Sequence, residues 1–214
     1  CRDIFKYPAT EWNMRKTQII SSGTFHPIDL INKNKSYELF RECFPNKIFH
    51  NFRSHLYQKR HKLKSIDWKI LCSPYKENNS YLNISSIFSR LWGNVGLQAN
   101  YFKINISDEY KSSKYSYVDP ETAGSLSIGL IESAACGCIP IIPSSYLEGL
   151  PLEKGRDYIE IEQFDGNIDN YINQIYSATL KKLSLQPKEI SQKYRTIFSE
   201  EALIKNTIKN LKDL

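Results

Sequence analysis

With 214 residues, 41% of them apolar and 24% charged, the chain can bury a sizeable core and reads as an ordinary globular protein. A net charge of +6 favours an anionic partner, and nucleotide diphosphates, acidic glycans and phospholipid surfaces all come before nucleic acid. No apolar run approaches the ~20 residues that cross a bilayer, so membrane contact, if any, is expected to be peripheral and the location cytoplasmic. Five cysteines, Cys1, Cys43, Cys72, Cys136 and Cys138, are odd in number and scattered, which predicts reduced thiols. Cys136-Gly137-Cys138 lacks the second Cys or His pair of a zinc site, and no metal is expected.

Residues 1–16 read as a lead-in or linker, 17–180 as one α/β domain and 181–214 as C-terminal helices packing back on it. Thr17 to Ser21 is the first expected strand, and Ser22-Gly23-Thr24 the turn at its carboxyl end, where open α/β sheets hold their ligands. Gly23 and Thr24 are therefore candidate site residues. A helix is expected from Lys35 to Phe44, and a second, strongly basic one from His50 to Lys64. The basic helix carries Arg53, Lys59, Arg60, Lys62 and Lys64, and reads more readily as a solvated face than as a surface for an anionic membrane or acceptor. Trp68 to Ser73 reads as a strand ending at Pro74, Ser85 to Trp92 as a helix, Asp108 to Ser113 as a short helix and Tyr115 to Val118 as a strand.

The chain is organised around Glu121 to Ser145. At helical spacing from Ser125, residues Leu126, Leu130, Ile131, Ala134 and Ala135 make an apolar stripe for packing on a sheet. The opposite side carries Ser125, Gly129, Glu132, Ser133 and Cys136, small residues around one carboxylate, and is the candidate site. Gly137 suits a left-handed helix stop, and Ile139 to Pro143 reads as a short buried strand. Gly124 before Ser125 leaves room for a phosphate at the helix's amide pole, and Glu132 is placed to accept hydrogen bonds from ligand hydroxyls. Beyond lie a loop to Gly155, an edge strand from Tyr158 to Ile161, and helices over Asn167 to Leu180 and Pro187 to Phe198. A terminal helix starts at Ser199, with Leu203, Ile204, Ile208 and Leu211 expected to face inward.

The segment GLIESAACGCIPII, preceded by KYSYVDP and followed by SSYLEGLP, resembles the donor-binding part of GT-B glycosyltransferases of the group-1 and exostosin-like kinds. The resemblance implies a Rossmann-like, doubly wound parallel sheet flanked by helices, forming one half of a two-domain enzyme whose other half is absent. It implies a metal-independent, hexosyltransferase-type activity with a nucleoside-diphosphate sugar as co-substrate and no further cofactor, acting on a glycan or lipid-linked acceptor. Diphosphate falls at Gly124 and Ser125, ribose at Glu132 with Ser133 beside it, and the sugar near Glu121, Gly23 or Thr24. Many group-1 members carry a further Glu near the sugar, at the position held here by Gly124. A basic pair is also implied beside the Gly23 turn, where the nearest cations in sequence are Lys33 and Lys35. The alternatives are a non-catalytic binding module on the same sheet, favoured by Gly124 in place of Glu, and a nucleotide-sugar epimerase, whose acid and base no residue here supplies.

Overall fold

The computed structural model describes residues 11–25, 51–63, 66–74, 104–119, 127–144, 147, 150–181, 183, 186–199, 201, 202, 204, 205 and 208. In chain order these hold β1 (Thr17–Phe25), α1 (Asn51–Leu63), β2 (Trp68–Pro74), α2 (Ile106–Lys111), β3 (Ser113–Tyr117), α3 (Ile128–Ala135) and β4 (Ile139–Pro143). They continue with β5 (Ile159–Ile161), α4 (Ile168–Ala178) and α5 (Pro187–Ile197). The expected helices at 35–44 and 85–92 lie outside the described residues. All strand pairings are parallel, in the order β2-β1-β3-β4-β5. Parallel strands buried on both faces call for near-continuous apolar runs, and β4, with sequence IPIIP, is buried at every position.

Alternation along β3 separates the two helical layers. Tyr115 and Tyr117 point to one face, where Tyr117 meets Phe52 of α1 and Tyr171 of α4 edge-on at 5.1 and 6.1 Å. Ser116 points to the other face and shares a 2.8 Å hydrogen bond with Ser133 of α3. Helices α2 and α3 cover that second face, and α5 packs on α3 with Ile190 and Tyr194 fully buried. The sheet is thus doubly wound, with β1 and β3 flanking the point where the strand order reverses.

Two expected boundaries move. β1 runs on through the expected Ser22-Gly23-Thr24 turn to Phe25, because its ladder with β2 continues from Gly23↔Cys72 to Phe25↔Pro74 and Gly23 tolerates φ +122°. The described part of the lead-in, residues 11–16, joins the core: Trp12 packs edge-on against Tyr115 at 5.5 Å and Arg15 is buried. Asp67 takes φ +55°, unusual for a residue with a Cβ, and uses it to pin β1 to β2. Its carboxylate accepts from Gln18 N–H at 2.9 Å and its carbonyl from Ile19 N–H at 3.2 Å.

Candidate functional site

The carboxyl ends of β1 and β3 lie at the switch point of the strand order, the place where open α/β sheets bind ligands. On one side of β1 stands Arg53 of the basic helix, only 4% exposed. A Cβ added to Gly23 would lie 2.9 Å from its Nη1, so the glycine is what lets the guanidinium lie against the strand. Arg53 Nη2 donates to the Asp119 carbonyl at 2.9 Å, and the Asp119 carboxylate accepts from Tyr117 Oη at 2.6 Å. Burial, and then the Asp119 charge, push the Tyr117 hydroxyl well above its ordinary pKa, so it stays a hydrogen-bond donor.

On the other side of β1, Ser22 Oγ and Tyr110 Oη lie 2.6 Å apart. The first turn of α3 closes over them: a Cβ on Gly129 would stand 3.3 Å from Tyr110 Oη and 4.0 Å from Ser22 Oγ. Ile128, the first residue of α3, is 67% exposed, whereas Leu130 and every residue from Glu132 to Ala135 is buried. The side chain of Ile128 is thus exposed, while the N-cap Ser127, 5% exposed, and the body of α3 are enclosed.

Of the residues singled out from sequence, Glu121, Gly124 and Ser125 lie outside the described residues, and Thr24 is the penultimate residue of β1. Helix α3 begins at Ile128 with Ser127 as N-cap, three residues later than the expected start at Ser125. The expected two-faced character of this helix gives way to burial nearly all round, because β3 and β4, α2 and α5 surround it. Glu132 is 6% exposed and its carboxylate is engaged within the protein. Ser133 is fully buried, with its hydroxyl bonded to Ser116 Oγ at 2.8 Å and the Leu130 carbonyl at 3.1 Å, which ties α3 to β3.

The carboxyl end of α3 is held by hydrogen bonds from α5 and from Arg15. Gly137, at φ +87°, ends the helix with Gly137 N–H on the Ala134 carbonyl and Cys138 N–H on the Ser133 carbonyl, at 2.8 and 3.0 Å. The Ala135 carbonyl accepts from Ser191 Oγ at 2.8 Å and from Arg195 Nε at 2.9 Å, both on α5. The Cys136 carbonyl accepts from Arg15 Nη2 at 2.8 Å, and Arg15 Nη1 reaches the Ser113 carbonyl at 2.6 Å. Burial lowers both arginines from their ordinary pKa, yet guanidinium remains protonated at neutral pH. Among the described residues no group of three or more His, Cys, Asp or Glu is placed to hold a metal ion, and no helix is long and apolar enough to cross a membrane.

No family model matches this chain, and no curated protein matches it. Its class is therefore defined by its own architecture: a doubly wound α/β domain with a five-stranded, all-parallel sheet. Sequence reasoning missed Ser22, Arg53, Tyr110 and Asp119. Arg53 is one of five cations between residues 53 and 64, and only its place beside the buried Phe52 and one turn before Leu56 distinguishes it.

Proposed function

We propose that this domain binds a nucleoside-diphosphate sugar at the carboxyl ends of β1 and β3 and serves as the donor half of a glycosyltransferase. The observation that carries the reading is the placement, at the carboxyl end of β1, of Arg53 against Gly23 on one face of the sheet and of the first turn of α3 beside Ser22 and Tyr110 on the other. The likeness of GLIESAACGCIPII to donor-binding segments points the same way. In this reading the diphosphate lies across the α3 amides toward Arg53, and these groups take up the charge that develops on the leaving nucleotide. The acceptor hydroxyl, a glycan or lipid-linked one, and any base that deprotonates it come from outside this domain.

Isothermal titration with UDP, GDP, ADP and CDP tests the proposal. At least one is expected to bind, and Arg53→Lys is expected to weaken it about tenfold, since a point charge cannot replace the planar fork. If none of the four binds while circular dichroism shows an intact fold, the reading is wrong.

A second reading, a non-catalytic module on the same sheet, draws on the burial of Glu132. Glu132→Ala separates the two. In a donor site it costs on the order of 1–3 kcal/mol of nucleotide affinity, the worth of a hydrogen bond to a charged group. In a scaffold it lowers stability and leaves the affinity of the folded fraction unchanged.

A further inference from the structure

Asp157, whose N–H closes a turn onto the Glu153 carbonyl at 2.8 Å, and Tyr194 of α5 are both 0% exposed. Each keeps one polar atom, Asp157 Oδ1 and Tyr194 Oη, that has no hydrogen-bond partner among the described residues. A buried polar atom that has given up water and gained nothing in exchange is costly, and folded proteins seldom leave one so. Burial first, and then the Asp157 charge, push the Tyr194 hydroxyl above its ordinary pKa, so the two groups lie within electrostatic reach and the hydroxyl keeps a proton to donate. Neither side chain is free to swing onto the other. Asp157 is held by its Oδ2, which accepts from Glu153 N–H at 2.8 Å and pairs with Lys193 Nζ. Tyr194 packs beside Phe198 at 5.9 Å, on a helix that Ser191 and Arg195 fix to the Ala135 carbonyl at 2.8 and 2.9 Å.

We propose that one internal water molecule bridges Asp157 Oδ1 and Tyr194 Oη. It accepts from the Tyr194 hydroxyl and donates to the carboxylate, and two polar partners are enough to hold a water inside a protein. The carboxylate then has three donors: Glu153 N–H, Lys193 and the water. The bridge joins α5 to the turn at 153–157, and it holds whatever ligand the sheet binds.

A crystal structure with ordered internal waters is the direct test, and water-selective ROESY reads the same site in solution. The expected result is a water within hydrogen-bond distance of both atoms, with a cross-peak from the Tyr194 ring protons to a water that outlives molecular tumbling. A direct bond between Tyr194 Oη and Asp157 Oδ1, or no water between them, overturns the proposal. Tyr194→Phe adds a thermodynamic measure: loss of the bridging bond is expected to lower the folding equilibrium constant in urea about three- to tenfold. A hydroxyl without any partner would leave that constant unchanged or raise it on removal, and this outcome also overturns the proposal. Should Tyr194→Phe fail to fold, the wild-type structure and spectrum decide alone.

Discussion

At Gly23 two constraints coincide: φ is +122°, and a methyl group would stand 2.9 Å from Arg53 Nη1. Gly23→Ala is therefore expected to lose about 1–3 kcal/mol in urea unfolding, the usual cost of a strained backbone position, and to weaken nucleotide binding by displacing the guanidinium. Gly129→Ala should behave differently. It sits in a helix, where alanine is favoured by up to about 1 kcal/mol, but its Cβ would press on Tyr110 Oη at 3.3 Å. Stability should change little while nucleotide affinity falls; equal affinity in calorimetry would count against a ligand at this turn. The glycines stand out in the sequence, but their neighbours do not, because Arg53 and Tyr110 reach them only through the fold. The thiols give a pH prediction. Burial pushes Cys72 and Cys138 up to about 12 and Cys136 to about 11 from 9.0, against weaker opposing pulls from Arg53 on Cys72, Lys111 and Arg195 on Cys136, and Arg15 on Cys138. A raised folded pKa gives stability that is complete below the unfolded value and is lost as pH climbs through the folded one, so the chain should weaken between about pH 9 and 12. In a Cys1→Ser, Cys43→Ser variant, no thiol should react with Ellman's reagent at pH 8 until denaturant is added.

Helix α5 is held to the domain by an unusual anchor. Asp157 is 0% exposed, and its Oδ2 accepts from Glu153 N–H at 2.8 Å and pairs with Lys193 of α5. Lys193→Met would leave that carboxylate buried without its counter-charge, a change that costs about 3–5 kcal/mol. Asp157→Asn with Lys193→Met should recover most of the loss, and a double-mutant cycle in guanidinium chloride measures the coupling. Helix ends were readable where local chemistry sets them. Asn167 caps α4 by accepting from Asn170 N–H at 3.1 Å, Gln186 and Glu189 form a capping box around Pro187, and Gly137 stops α3. Where tertiary pairing decides, the pattern misled: β1 extends because β2 lies beside it, and the polar side of α3 is covered because Ser133 meets Ser116 of β3 and Gly129 meets Tyr110 of α2. The basic helix α1 reads in sequence as a solvated face, yet Phe52, Arg53, Leu56 and Leu63 are all buried beneath its lysines.

At the scale of the whole molecule, the alternation of strand and helix patterns was enough for a parallel, doubly wound sheet, since a parallel strand needs a crossover before the next. Which strands neighbour one another was not legible, and that order is what sets the switch point between β1 and β3. The C-terminal segment illustrates the same limit. Ser199 does cap a helical turn, with Ala202 N–H on its Oγ at 3.2 Å, but of the residues expected to face inward Ile204 is 53% exposed and Ile208 49%, while Leu203 and Leu211 lie outside the described residues. Heptad-like spacing says that a face is apolar without saying that anything receives it, and the outer side of α3 is already occupied by Ile190 and Tyr194 of α5. Burial, then, should decide what this segment contributes. Ending the chain after Ser199 removes described residues of which Ala202 alone is half-buried and Glu201, Ile204, Lys205 and Ile208 are exposed. The truncated domain is expected to keep its far-ultraviolet spectrum and to lose less than about 1 kcal/mol in urea unfolding, with an unchanged m value. A loss of several kcal/mol would mean that the terminal turns pack on the domain and that the exposure of Ile204 and Ile208 is a poor guide to their role.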